Sequence, residues 1–294
     1  MSVLTQEREQ VVSSAIREIS HIATLPEVTV KVVELVENPK STAQDLNKVI
    51  STDPALCSRI LKVVNSSFYG LPGQIGNINR AIVMLGLNAV KNIAIAASMA
   101  KLFRGGEIGP NFSGRELWSH CNITAAGAKM IATSIKLGLT DEAFLGGLIH
   151  DLGLMVEMQF DRNKLQEVLR QIGQDSTGTP ACDMLEVERA IFNVDHQDFG
   201  AGLCEKWKFP KSFAYVCGFH HKPLDTDAEH RMLPAIIYIA DRLACESGQG
   251  FRGDVFDTKI DANVLDFVKL SSERLEEIRK TIKEQAKDFA NTLA

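Results

Sequence analysis

The sequence predicts an all-α protein of two abutting helical lobes, and three observations lead there. Apolar residues recur at spacings of three and four along almost the whole chain. Alternating apolar and polar stretches, the mark of half-buried strands, are few. Helix-start signals, a short polar residue followed by proline or by an acid or amide three residues on, stand in front of several of the apolar runs. At 294 residues the chain is long for one hydrophobic core, and with 45% hydrophobic residues it can bury two.

Val11, Val12, Ile16 and Ile19 mark a first amphipathic helix, with His21 and Ile22 near its end. Leu25-Pro26 starts a second, carrying Val28, Val32, Val33, Leu35 and Val36 and stopped by Asn38-Pro39. Ser41 with Gln44 reads as a capping box for a third, with Leu46, Val49 and Ile50 inside. Asp53-Pro54 combines an N-cap with proline in the first turn and opens a fourth helix holding Leu56, Ile60, Leu61 and Val64. The segment from Asn65 to Gly73 has turn chemistry. Asn79 to Leu85 and Asn88 to Phe103 follow as helices separated by Gly86.

The glycine-rich run from Arg104 to Gly114 is the best lobe boundary, giving lobes at 1–104 and 105–250 and a C-terminal linker and helix at 251–294. The second lobe opens with a helix containing Glu116, Trp118, His120 and Met130. Asp141 begins a helix ending at His150-Asp151, and Asp195 caps one that opens with His196 and stops near Trp207 and Pro210. His220-His221 ends the next helix, and Asp241 lies inside the apolar run Ile236–Ala244. In the tail, Ser271 and Ser272 precede Glu273, Glu276 and Glu277, a helix start. Leu275, Ile278, Ile282, Phe289 and Leu293 then form one apolar stripe, which packs back on its own lobe or serves a homodimer.

A net charge of −5 argues against a nucleic-acid binder by bulk electrostatics. From Ser51 to Arg104, six basic residues (Arg59, Lys62, Arg80, Lys91, Lys101, Arg104) face one acid, Asp53, and read as a solvated surface. The short helices around Asp53 invite a helix-turn-helix reading, but the second offers only Arg59 and Lys62 to DNA, and its apolar face calls for core packing. Six cysteines without Cys-x-x-Cys spacing read as buried reduced thiols. No signal segment opens the chain and no apolar run reaches ~18 residues, so the expectation is a cytoplasmic protein without membrane contact.

Five of the seven histidines, His120, His150, His196, His220 and His221, sit in predicted helices of the second lobe, together with Asp151 and Asp241. A lone histidine in an apolar segment is usually a hydrogen-bonded core residue. The full set of five imidazoles and two carboxylates points instead to a pocket for a divalent or trivalent first-row metal: iron, manganese, nickel or zinc. Gly146, Gly147 and Gly153 flank the His150-Asp151 pair and leave room for close helix approach. Glu116, four residues before His120, either adds a carboxylate or merely serves its own helix start. His196, in a first turn, is expected neutral and ligand-competent. Asp241 needs a partner, since Arg242, one residue on, points elsewhere on the helix.

These residues carry a resemblance to the HDOD proteins, bacterial signalling relatives of the HD phosphohydrolases. In the first lobe the resemblance rests on Leu25-Pro26, Asp53-Pro54-Ala55-Leu56, Val64-Asn65-Ser66, Ala81-Ile82 and Leu85-Gly86. In the second it rests on Leu117-Trp118-Ser119-His120, Gly147–Gly153, His196 with Gly200-Ala201, Trp207 with Pro210, and His220-His221, so that roughly residues 20 to 245 are covered. It implies an HD-domain-like helical bundle with an N-terminal helical lobe, acting as an output or regulatory module with another signalling protein as partner. It further implies that His120, His150, Asp151 and Asp241 match the first metal site of catalytic HD enzymes. His196, His220 and His221 match a second, as in the HD-GYP cyclic-dinucleotide phosphodiesterases. Asp151 would then be the catalytic carboxylate of a metal-activated water attack on phosphorus.

The chain departs from that catalytic pattern in two places. Leu154 stands where those phosphodiesterases carry a lysine, and Lys222-Pro223 follows the histidine doublet with no Gly-Tyr-Pro. Both losses weaken substrate binding more than metal binding. They favour a non-catalytic or weakly active signalling module over the alternative, a metal-dependent phosphohydrolase acting on a nucleotide or other phosphoester.

Overall fold

The helix signals resolve, in a computed structural model, into a helical fold with one small hairpin. It describes residues 6–19, 26–66, 69–100, 102–103, 106–109 and 111–291, without the side chain at 37. The expectations attached to His21, Ile22, Leu25, Lys101, Arg104 and Leu293 fall outside these residues.

Before the hairpin the chain forms α1 (Gln6–Glu18), α2 (Glu27–Glu37), α3 (Ala43–Ile50), α4 (Pro54–Val64), α5 (Ile78–Leu85) and α6 (Leu87–Met99), of which α1 packs on helices of the later half of the chain. Asp53 caps α4 by accepting from Leu56 N, with Pro54 in the first turn as expected. The box at α3 lies one residue later than the sequence suggested. Thr42 accepts from Asp45 N at 3.2 Å, and Asp45 accepts from Thr42 N at 2.9 Å. Ser41 is otherwise engaged: its hydroxyl donates to Leu35 O at 2.7 Å and accepts from Lys91 Nζ at 2.5 Å. Lys91 is therefore an interior strut at 3% exposure, also donating to Leu35 O, and not part of a solvated basic surface. Arg59 likewise ties α4 to α6 through Ala97 O.

Where the glycine-rich boundary was expected, β1 (Glu107–Gly109) and β2 (Phe112–Ser113) form a short antiparallel hairpin that leads into the long α7 (Gly114–Ser134). Beyond it come α8 (Thr140–Ile149), α9 (Leu152–Phe160), α10 (Arg162–Ile172), α11 (Met184–Phe192), α12 (His196–Lys206) and α13 (Lys211–Phe219). After two single 3-10 turns, α14 (Met232–Glu246), α15 (Ala262–Val268) and α16 (Ser272–Ala290) complete the described chain. Helix α7 packs on α8, α14 and α16, and α12 packs on α9 and α13.

One continuous core joins Val12 and Ile93 from before the hairpin to Leu117, Phe144 and Phe199 from beyond it. Another lies between α7, α14 and α16, where Ile131, Ile236, Ile282 and Phe289 meet. The apolar stripe of α16 is thus covered within the chain. Each such side chain buried contributes on the order of 1.5–3 kcal/mol. All six cysteines are free; Cys121, Cys204, Cys217 and Cys245 are buried, and Cys57 and Cys182 are partly exposed. No helix among the described residues is long and apolar enough to cross a membrane.

Two glycines let the second-lobe helices approach at backbone distance. A Cβ at Gly147 would lie 2.5 Å from Ala125 Cα on α7, and one at Gly153 would lie 1.7 Å from His196 O on α12. Gly146 is less constrained, its nearest neighbour being the tip of Ile237 at 3.4 Å. Gly153→Ala is therefore expected to destabilise the fold by at least about 3 kcal/mol, since backbone must move. Gly138→Ala, with nothing within 4 Å of the new methyl, should melt like the parent protein. Thermal unfolding of the two variants checks the contrast.

Candidate metal centre

Each expected ligand is delivered by a helix end or by a helix face turned inward. His120 lies on α7, about two turns after its Ser113 cap. His150 and Asp151 form the break between α8 and α9, where the change of helix direction lets adjacent side chains face one point. His196 is the first residue of α12, capped by the reciprocal Asp195–Asp198 box. His220 and His221 end α13, and Asp241 lies midway along α14.

All seven groups converge. His120 Nε2 lies 3.2 Å from Asp241 Oδ1 and 3.3 Å from His150 Nε2. Asp151 Oδ2 lies 3.2 Å from His150 Nε2 and 3.8 Å from His120 Nε2. Its other oxygen, Oδ1, faces His220 Nε2 at 3.4 Å and His196 Nε2 at 3.8 Å. His196 Nε2 in turn lies 3.0 Å from His221 Nε2 and 3.4 Å from His220 Nε2. Asp151 thus stands between one group made of His120, His150 and Asp241 and another made of His196, His220 and His221, and the ligand atoms within each group lie within 4.8 Å of one another.

The donor set fits transition-metal ions. His120, His150, Asp151, His196, His220 and Asp241 are all 0% exposed. Yet both oxygens of Asp151 and Asp241 Oδ2 have no hydrogen-bond donor. Buried carboxylates without donors are costly unless a cation neutralises them. Two far ring nitrogens are held by backbone carbonyls, His150 Nδ1 by Gly147 O at 2.8 Å and His220 Nδ1 by Cys217 O at 3.0 Å, whereas His120 Nδ1 is buried without a partner. The carbonyl support fixes the orientation of those two rings and leaves their Nε2 lone pairs aimed inward, as in metal-binding histidines generally.

Two carboxylates that sequence reasoning missed complete the surroundings. Glu188, on α11 and fully buried, contacts His196 Nδ1 at 2.9 Å and accepts from His196 N at 3.1 Å. Burial opposes protonation of His196, but the Glu188 charge and hydrogen bond outweigh it and hold its pKa well above the ordinary imidazole value. In metal-free protein the Glu188 charge thus outweighs the helix-end effect, and because Glu188 meets Nδ1, the Nε2 atom stays turned toward Asp151 and the other imidazoles. Behind Glu188, burial and that neighbour's charge push the Glu157 carboxyl well up.

Asp254 is the other missed group. It lies in the loop after α14 at 2% exposure, has no donor on either oxygen, and falls within ligand distance of both Asp151 with His196 and His120 with Cys245. Burial, then the charges of Asp151 and Asp241, raises its pKa to about 7. Its sequence signal is the glycine spacing upstream. Gly250 has φ +78°, and a Cβ there would lie 2.6 Å from His120 N, so the loop is pressed against α7.

Two sequence readings are settled differently. Glu116 stays outside the centre, accepting from the Ser113 hydroxyl at 3.1 Å in the helix-start role. Arg242 does not point away from Asp241: its guanidinium lies 3.8 Å from Asp241 Oδ2 and stacks 3.4 Å from the centre of the Tyr238 ring. Of the two other histidines, His230 stacks on Tyr215 away from the cluster, and His21 is outside the described residues.

Fold and site together define an all-helical protein with an interior His/Asp centre of metal-binding type. The HDOD domain family matches residues 22–223, and the chain belongs to that family. An uncharacterised protein of Treponema pallidum is 24% identical over 288 residues, which are 93% of this chain and 51% of that protein. The chain thus spans about half the length of this curated relative. An HDOD domain protein of unknown function from Geobacter sulfurreducens superposes with a TM-score of 0.81 at 18% identity, covering 98% of this chain and 97% of that one. A candidate phosphohydrolase from Shewanella amazonensis gives 0.74 at 19% identity, covering 97% and 98%. A candidate signal transduction protein from Marinobacter aquaeolei gives 0.75 at 20%, covering 97% and 65%. At these identities the likeness is one of fold.

The charge pattern sets a pH signature for metal-free protein. Burial alone would lower the pKa of His120, but Asp241 at 3.2 Å, with Asp254 and Asp151 beyond, raises it to about 9. A histidine raised in the folded state contributes stability fully present below its unfolded pKa, about 6.5, and lost as pH rises through the folded value. Asp254, raised to about 7, binds its proton more tightly folded than unfolded, so stability falls in the same direction as pH rises from about 4 to 7. Urea melts in chelator should therefore show falling stability from pH 6.5 to 9, and added metal should flatten that slope by replacing protons at the same groups.

Proposed function

We propose that this chain is an HDOD signal-transduction output module in which His120, His150, Asp151 and Asp241 hold one transition-metal ion. His196, His220 and His221, with the second oxygen of Asp151, hold another. The ions act as internal pins between helices, and phosphoester turnover is absent or weak. The burial of the centre carries this reading. Six of the seven groups are 0% exposed and the His221 side chain is 7% exposed, so a phosphoester has no approach to the ions in this conformation. The phosphate-neutralising lysine of catalytic relatives is replaced by Leu154, itself fully buried in the core. Lys222 and Pro223 pass directly into a 3-10 turn.

Iron, manganese, nickel and zinc all suit an imidazole-carboxylate donor set. When bound, such ions would lower the pKa of a coordinated water and polarise a phosphoryl oxygen. The protein's own contribution is to fix the ring orientations through Gly147 O, Cys217 O and Glu188, and to exclude bulk water. The partner on this reading is another signalling protein, met in the cytoplasm through the helical surface; the net charge of −5 disfavours nucleic acid.

A second reading, a metal-dependent phosphohydrolase, is favoured by one observation: the two oxygens of Asp151 face separate imidazole groups, a layout suited to two ions. Elemental analysis of protein purified without chelator, followed by assay against phosphomonoesters, nucleotides and cyclic dinucleotides, separates the two. The output-module reading expects near-stoichiometric metal and no turnover above a chelated control. Turnover lost in Asp151→Ala with helicity retained would establish the hydrolase instead. Protein that never takes up metal would remove both.

A further inference from the structure

A large cleft of about 1070 Å³ opens between the hairpin, the start of α7, the loop before α11, the loop after α14 and the end of α16. Its volume lies just above the range of roughly 300–1,000 Å³ usual for small-molecule sites. Its chemistry differs from that of most such pockets, because polar and charged groups dominate the described lining and no aromatic side chain is among them. Hydroxyls and amides come from Ser119, Thr177 and Gln249, and backbone from Gly178 and Gly250, both with positive φ.

Three cations, Arg115, Arg252 and Lys287, reach this cleft from three separate elements, and none forms an ion pair with a described carboxylate. Two acids also line it. Glu116 is engaged by the Ser113 hydroxyl, and Glu107 lies at the outer end of β1. Arg252 is the best-placed cation. Its stem passes Gly178, where a Cβ would sit 3.4 Å from Arg252 Cγ, and its Nε is buried without an acceptor. A guanidinium N–H removed from water and left without an acceptor is a cost that a bound anion would offset.

We propose that this cleft is a binding site, separate from the His/Asp centre, for a small hydrophilic molecule carrying phosphate groups. Arg252, Arg115 and Lys287 take the phosphates, and the hydroxyl and amide rim takes a hydroxylated remainder such as a sugar. The absence of an aromatic platform among the described residues selects the phosphate and sugar parts of a ligand over a stacked base. The cleft wall also touches the centre mechanically. Gly250 packs on the His120 backbone, Phe251 N donates to Glu116 O at 3.1 Å, and Asp254 enters the His/Asp cluster from the same loop.

Calorimetric titration of the full chain with pyrophosphate, ribose 5-phosphate and ATP tests the assignment and separates a bare phosphate chain from a sugar phosphate and a nucleotide. At least one probe is expected to bind, with affinity reduced about tenfold or more in Arg252→Gln, as for loss of a charge-assisted contact. The exposed-site variants Arg115→Gln and Lys287→Gln should each weaken it in the same direction, which keeps the test valid if Arg252→Gln is unstable. Binding should persist in Asp151→Asn. No binding by any probe overturns the proposal. So does binding that survives all three cation variants, or that is lost only in Asp151→Asn, which would move the ligand to the His/Asp centre.

Discussion

The carboxylate of Asp151 is the constraint around which the second lobe is built. It is 0% exposed, no N–H or O–H donates to either oxygen, and four imidazoles stand within 3.8 Å of it. Transfer of an ionised carboxylate into such a place costs several kcal/mol unless positive charge meets it there. Protonated imidazole or a metal ion supplies that charge only if α7, α8, α12 and α13 hold their histidines at fixed distances. The tight backbone approaches at Gly147 and Gly153 serve that purpose, because both fall beside the His150–Asp151 break and bring α7 and α12 up to it. Packing and electrostatics are therefore one problem in this lobe: a displacement of either helix separates charges as well as apolar surfaces.

Much of the fold was legible because the deciding forces are local. Asp53-Pro54 and Asp195 mark their helix starts by side-chain chemistry that needs no tertiary partner. The α3 cap slipped by one residue because Ser41 is claimed by Lys91, fifty residues on, and nothing near Ser41 in the chain announces that. Lys91 itself looked like one more surface cation for the same reason. The hairpin at 107–113 was hidden by its length, too short for any alternation to show.

The site divides along a similar line. His120, His150, His220 and Asp241 stood out because each interrupts an apolar segment, so burial could be inferred together with polarity, whereas His196 stood out only as the first helical residue after the capping Asp195. Glu188 and Asp254 could not be separated from ordinary surface acids. Glu188 shares a helix with Glu186 and Arg189, and Asp254 sits in a loop beside Arg252. Their burial is set by what packs over them, and for Asp254 the only local trace is a glycine with left-handed backbone four residues earlier.

The same burial bears on chemistry. An ion gains most from carboxylates withdrawn from water, whereas a hydrolytic centre must admit a phosphoester and an attacking water along an open side. On the proposed reading, the balance in this chain has gone to withdrawal. Leu154 fills core volume three residues after Asp151 and brings no cation to the centre. Arg242, the nearest guanidinium, is stacked on Tyr238 and turned toward Asp241, so its charge serves the protein's own carboxylate and not an incoming phosphate. A centre arranged in this way gives up access in exchange for rigidity between helices. That exchange is what the proposed output module requires: a surface held in one arrangement from within.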